Sequence, residues 1–184
     1  MLTGPAIRKA IEAGEITIEP YTWSFAGPNS YDVRLASELK TYRLPDCRWP
    51  LDSRSDNACD DLLIPESGLI LKPNILYLGR TIERLHSNTY AATIHGRSSV
   101  GRLGITVHQT AAFIDVGFSG VVTLEIVVVH PVRVHAGMRI AQVAFHPLVG
   151  DVELYVGKYQ HAVSVEASKL FRDDETKEHE PSHE

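Results

Sequence analysis

The chain has 184 residues, 43% hydrophobic and 22% charged, with a net charge of −5. That length suits one domain with a real core rather than two. Four of the five excess negative charges fall in residues 172–184, where six acids face two cations, so the near-neutral body lacks the basic field that nucleic-acid binding needs.

The two cysteines, Cys47 and Cys59, are too few for a disulfide framework or a zinc site. The nine histidines are scattered, and only His179 and His183 have helical ligand spacing, with Pro181 between them. No charged-then-apolar leader opens the chain, and no run approaches the ~20 apolar residues of a membrane span. A cytoplasmic setting and no membrane partner are expected.

Thr3-Gly4-Pro5 followed by Ala6 to Ala13 predicts a short capped helix. Pro5 suits its first turn, Ile7 and Ile11 share a face, and Gly14 stops it. Beyond it, helical periodicity mostly vanishes. Ile16-Thr17-Ile18 and Ser30-Tyr31-Asp32-Val33-Arg34-Leu35 alternate as strands, separated by a Gly27-Pro28-Asn29 turn. Residues 44–57, rich in Pro, Asp, Arg and Ser, predict a long surface excursion. Short β-rich runs then recur between turn signals at residues 69–71, 75–78, 90–94, 121–129 and 140–145. That spacing predicts an all-β distorted barrel or jelly-roll-like sandwich rather than βαβ units. Residues 163–171 are expected to form a minor C-terminal helix. A single domain would span 1–171, with 172–184 an acidic, disordered tail.

Glu125 stands in the apolar run Val121-Val122-Thr123-Leu124-Glu125-Ile126-Val127-Val128-Val129. A carboxylate there is costly to bury unless it is paired or holds its proton, and a general base is one common reason to keep it. Alternation sets Thr123, Glu125 and Val127 on one face and Leu124 and Ile126 on the other. With the second set in the core, Glu125 faces solvent or a cleft. Upstream, Gly96-Arg97-Ser98-Ser99 offers a flexible backbone, a cation and two hydroxyls to phosphate oxygens. A plain polar turn is the commoner meaning of such a string, and no Walker pattern follows. Arg102 is either a fork for an anion or the ion-pair partner of an acid such as Asp115. Asp115 either stabilises the turn at Val116-Gly117 or works on a ribose hydroxyl or a water.

Taken together, GRSSVGRLG … HQTAAFID-x-GFSG … TLE resembles the signature of the dCTP deaminase family, relatives of the trimeric dUTPases. Asn29 to Leu35 is similar to that family's early strand, and Gly137-Met138-Arg139-Ile140-Ala141-Gln142 to its late one. Tyr155 with Gly157-Lys158-Tyr159 resembles its C-terminal nucleotide clamp. The likeness covers nearly the whole chain apart from residues 44–57 and the tail.

The resemblance implies a dUTPase fold, homotrimers with active sites between subunits, and dCTP and dUTP as ligands. It also implies Mg²⁺ carried on the nucleotide phosphates, with no protein metal site and no zinc. The chain agrees in lacking the H-x-E … P-C-x-x-C pattern of zinc deaminases. Residue by residue, the likeness makes Glu125 the base that deprotonates the water attacking C4 of cytosine and then protonates the leaving ammonia. Ser98 and Arg102 would orient that water and stabilise developing charge. Arg97, Ser98, Ser99 and Arg102 match the phosphate-binding loop, and Asp115 the carboxylate near the sugar. Thr123 and Leu124 match the main chain that reads the base, and Tyr155 and Lys158, with Gln160 beside them, the triphosphate clamp.

Ala112-Phe113 resembles the small–aromatic pair of members that carry dUTP on to dUMP and pyrophosphate, with Asp115 activating the second water. Members that stop at dUTP tend to have His-Arg there. The chain departs from the pattern at Val116, where many have Pro, at Val127-Val128, where a polar residue is common, and at Ala162, where a glutamine is usual. Feedback inhibition by dTTP is a further expectation of the resemblance. Two alternatives stand beside it. A dUTPase without deaminase activity would need no acid at Glu125, and a non-catalytic nucleotide-binding regulatory trimer would not need Ser98, Arg102 and Glu125 together.

Overall fold

The computed structural model describes residues 1–44 and 50–173. Helix α1 (Gly4–Glu12) forms as expected, with Pro5 in its first turn and Ile7 and Ala10 buried. Then come β1 (Thr17–Glu19), a 3₁₀ turn (Trp23–Phe25), β2 (Tyr31–Arg34), β3 (Glu38–Tyr42) and β4 (Cys59–Leu63). They are followed by β5 (Leu69–Leu71), β6 (Tyr77–His86), β7 (Tyr90–Gly96), the one-turn helix α2 (Ser98–Gly101), β8 (Ile105–Thr106) and β9 (Phe113–Ile114). The last strands are β10 (Ser119–Val128), β11 (Val132–Val134) and β12 (Arg139–Pro147).

All strand pairs are antiparallel, as the expected all-β class requires. One sheet runs β4-β3-β6-β10-β8, with β1 joined to the far end of β6, and a second runs β2-β12-β7-β9. Strands β5 and β11 pair on their own. A single apolar cluster draws on both large sheets, including Tyr31 and Val33 of β2, Leu124 and Ile126 of β10, and Val143 and Phe145 of β12. Such two-sided burial of alternate residues holds the sheets face to face.

Three expectations need correction. The strand expected at 75–78 extends to His86, because the charged residues that broke its apolar pattern are accommodated. Glu83 points into the core yet is fully buried, and its carboxylate accepts both the backbone amide of Arg34 at 2.8 Å and the Arg34 Nε at 2.6 Å. Strands β3, β4 and β11 add pairing that the sequence did not predict.

The third correction concerns residues 163–171, which are not helical apart from a 3₁₀ turn at Leu170–Arg172. Their amides are taken by side chains from elsewhere: Glu166 N donates to Thr123 Oγ1, Ser168 N to Tyr42 Oη and Lys169 N to Tyr159 Oη. Amides satisfied in this way have no need of helical carbonyls. Of the expected acidic tail, residues 174–184 lie outside the described residues.

The Arg34–Glu83 pair generates a stability prediction. Glu83→Leu removes one partner and strands the Arg34 amide and guanidinium, which should cost about 3 kcal/mol, discounted because Arg34 is partly solvated. Urea denaturation measures it; a loss below about 1 kcal/mol would mean that the pair fills space without stabilising the fold.

Candidate active site

The site is built on the pairing of β6 with β10. Its register slips between Val121 and Thr123, where Val122 alone faces Thr81, Ile82 and Glu83 of β6 and gives its amide to the buried Thr81 hydroxyl at 2.9 Å. Thr81 in turn donates to the carbonyl of Glu83 at 2.7 Å. A bulge re-aims the side chains beyond it. Val122 and Thr123 therefore both line one cleft, and Glu125 follows two residues on, while Leu124 and Ile126 lie in the core. The expected facing of Glu125 is what the strand delivers.

This cleft has a volume of about 560 Å³. Leu76 and Leu78 give it an apolar wall, and Asp115, Phe113 and Tyr155 line it together with Glu125. The backbone amide of Glu125 donates to Val107 O at 3.0 Å, and its Oε2 accepts the Gln109 amide at 2.8 Å. The half-buried carboxylate is thus aimed by the 107–109 segment through main-chain contacts alone. Asp115 sits at a turn in which Phe118 N donates to its carbonyl and Gly117 takes φ +87°. Among the described residues it makes no ion pair with Arg102, so that alternative does not hold within one chain.

The C-terminal segment wraps over the cleft mouth. Tyr155 lines the cleft, its ring 6.0 Å from that of Phe118, and its hydroxyl accepts Tyr159 N. Gln160 does not face the cleft: its Oε1 accepts Ser119 N, and its Nε2 donates to the carbonyls of Gly117 and Tyr155. It fastens the wrap to β10 instead. Ala162, standing where a glutamine was expected, is buried and accepts Val121 N. Lys158 is paired with Asp173, and Lys169 with Glu166, whose residue also lines the cleft.

Leu124 offers the cleft only its main chain, since its side chain fills the core. Ser98, Ser99 and Arg102 are exposed on and just after α2 and do not line the Glu125 cleft of their own chain. Arg97, just before α2, bonds to Asp32 instead. The structure thus brings Glu125, Asp115 and the wrap together in one place, and leaves Arg97, Ser98, Ser99 and Arg102 in another.

Residues 1–148 match the family described as dCTP deaminase-like. The chain belongs to the dCTP deaminase-like family. It is 46% identical over 176 residues to a Cytophaga hutchinsonii protein named dCTP deaminase, dUMP-forming, covering 95% of this chain and 99% of that one. Proteins of the same name from Leptospira biflexa and Clostridium acetobutylicum are 45% and 41% identical over 96% and 94% of the chain, and 99% and 98% of their own lengths. In fold, the chain is similar to the crystal structure of 2'-deoxycytidine 5'-triphosphate deaminase from Agrobacterium tumefaciens. The TM-score is 0.60 at 23% identity, over 78% of this chain and 47% of that one.

Within this family setting, several lining residues had no separate sequence signal. Tyr42 enters from β3, far from the motif, and Glu166 from the wrap. Burial pushes the Tyr42 hydroxyl above its ordinary pKa, so it stays a neutral partner for Ser168 N. Gly120 is the signal that could have revealed the wrap, because a Cβ there would lie 2.9 Å from both the N and O of Ala162. Gly120→Ala should therefore push the wrap off β10, and hydrogen exchange at the Val121, Glu166 and Ser168 amides should accelerate by about tenfold or more. Unchanged exchange would mean that residue 162 tolerates the extra methyl.

Proposed function

We propose that this protein deaminates dCTP and carries the product on to dUMP and pyrophosphate within one cleft. The observation that carries the reading is Glu125 itself: a half-buried carboxylate just past a register slip, with Oε2 fixed by the Gln109 amide. That contact leaves Oε1 to take a proton from water. The water oxygen bonds to C4 of cytosine, and Glu125 returns the proton to the departing amine, so that dCTP and water give dUTP and ammonia. Asp115, in the same cleft, is the acid we assign to the second water, which releases pyrophosphate from dUTP. The names of the relatives, each dUMP-forming, support this two-step outcome over deamination alone. Thr123 and the Leu124 main chain would face the base, and Tyr155 and Lys158 the triphosphate, with dTTP a competitor for the same cleft. We place the reaction in the cytoplasm.

Among the described residues, no lysine or arginine lines the cleft, whereas Asp115, Glu125 and Glu166 do. A triphosphate needs opposing charge. The second half of the site, Arg97, Ser98, Ser99 and Arg102, is therefore assigned to a neighbouring copy in a homotrimer, so that each site forms between two chains. Mg²⁺ fits this arrangement, since it keeps waters and binds through substrate phosphates with one or two carboxylates, and Asp115 exposes a hard oxygen donor to the cleft. When bound, it would neutralise part of the phosphate charge.

Glu125→Gln should lower ammonia release from dCTP by about a thousandfold or more while retaining nucleotide binding. Release at the wild-type rate would overturn the role of Glu125. With the unmodified protein and Mg²⁺, chromatography should find pyrophosphate and dUMP in equal amounts; dUTP without pyrophosphate would confine the protein to deamination. Shared sites predict complementation: Glu125→Gln and Arg102→Ala chains, each inactive alone, should regain roughly a quarter of wild-type activity when unfolded together and refolded. Failure to regain activity from properly assembled mixed trimers would place both halves of the site in one chain.

A further inference from the structure

Asp32 lies on β2, far along the sequence from the phosphate loop, and nothing in the proposed reaction uses it. Its neighbours on β2, Tyr31 and Val33, fill the core, so Asp32 faces outward, yet its side chain is only 15% exposed. Both carboxylate oxygens are engaged. Oδ1 is 3.0 Å from Arg97 Nε, and Oδ2 accepts Arg139 Nη1 at 3.1 Å. Arg97 also donates through Nη1 to the carbonyl of Arg139 at 3.3 Å. The pieces come from three neighbouring strands: β2 and β7 flank β12, Asp32 sits opposite Gln142, and Gly96, the residue before Arg97, sits opposite Ala141. The bulge between Arg139 and Ala141 is what brings the Arg139 carbonyl and guanidinium to this point.

The arrangement holds Arg97 at two of its nitrogens. Its Nε hydrogen and one Nη1 hydrogen are occupied, while Nη2 and the second Nη1 hydrogen have no partner among the described residues. A guanidinium is a rigid planar fork, so fixing two of its nitrogens fixes the direction of its free Nη2 end. The Arg97 side chain is 27% exposed, and its residue is the N-cap of α2, with Ser98 and Ser99 next in line.

We propose that Asp32 is a positioning residue for triphosphate binding: it holds Arg97 with its free Nη2 end pre-aimed at the phosphates, and Arg139 holds Asp32 in turn. This rests on the reading of Arg97 as part of the phosphate loop. Two explanations of Asp32 then predict opposite signs. As a mere counter-charge it opposes an anion, and removing it would tighten triphosphate binding. As a positioning group it reduces the ordering that Arg97 must undergo on binding, and removing it weakens that binding.

The test uses steady-state kinetics with dCTP and Mg²⁺ on Asp32→Asn, Arg97→Ala and the double variant. Asp32→Asn should raise KM about tenfold with kcat falling less than about twofold, and it should add nothing once Arg97 is alanine. A KM that is unchanged or lowered in Asp32→Asn overturns the proposal, as does an effect that persists in the Arg97→Ala background. If Arg97→Ala alone leaves KM untouched in an active enzyme, the reading of Arg97 fails, and the proposal with it. Wild-type protein that releases no ammonia from dCTP would instead sink the deaminase reading itself. Because Asp32→Asn could loosen the fold, Asp32→Glu is measured beside it; it keeps the charge but lengthens the reach, and should also raise KM. Wild-type KM in Asp32→Glu with an intact melting transition would assign Asp32 to charge alone and overturn its positioning role.

Discussion

The bulge in the β6–β10 pairing is the constraint on which the rest of the molecule depends. The ten residues of β6 run beside Ser119 to Ile126 of β10 within the larger sheet, and regular alternation would fix one face for the core and one for the cleft. The slip at Val122 breaks that alternation once, with Thr81 satisfying the amide that would otherwise be stranded. Thr81 can do so because its own hydroxyl proton goes to the carbonyl of Glu83, whose side chain closes on Arg34. The polar chain from Arg34 through Glu83 and Thr81 to Val122 thus satisfies the backbone amides of Arg34 and Val122. It ties β2 to the geometry of the strand that carries Glu125. A buried polar network of this kind specifies one register where apolar packing alone would allow several.

How much of this was legible in the sequence follows from the same physics. The β class, the helix at the N-terminus and the facing of Glu125 were readable because they rest on local periodicity, and Leu124 and Ile126 announce the core side of their strand. The length of β6 was not readable, because Arg80, Glu83 and Arg84 break the apolar pattern and only partners distant in the chain make their placement tolerable. The wrap defeated local reading for a related reason. Residues 163–171 carry no strong helix stop, and what prevents a helix is the set of hydroxyls from Thr123, Tyr42 and Tyr159 waiting for their amides. Gln160 shows the limit of transferring a role by likeness. The residue stands in the expected stretch, but all of its hydrogen bonds go to main chain.

The distribution of charge is the reason for proposing that a single chain is not a complete site. Three acids face the cleft, the lysine nearest in sequence to Glu166 is spent on it, and Lys158 is paired with Asp173. An incoming triphosphate would meet net negative charge at short range, in surroundings that screen it poorly. The cations that could reverse this, Arg97 and Arg102, belong to an exposed loop that their own cleft does not use. In the proposed trimer, a second copy that places this loop against the cleft would bring positive charge and hydroxyl donors to Glu125 only in the assembled protein. Assembly would then do more than stabilise the fold: it would switch the field in the cleft from repelling the substrate to holding it. With Lys158 assigned to the triphosphate as proposed, the Lys158–Asp173 pair would be an exchange site, since phosphate oxygens carry more charge than one carboxylate and would compete with Asp173 for the same ammonium. The wrap would then hold Lys158 on its own acid over an empty cleft and yield that lysine to a nucleotide.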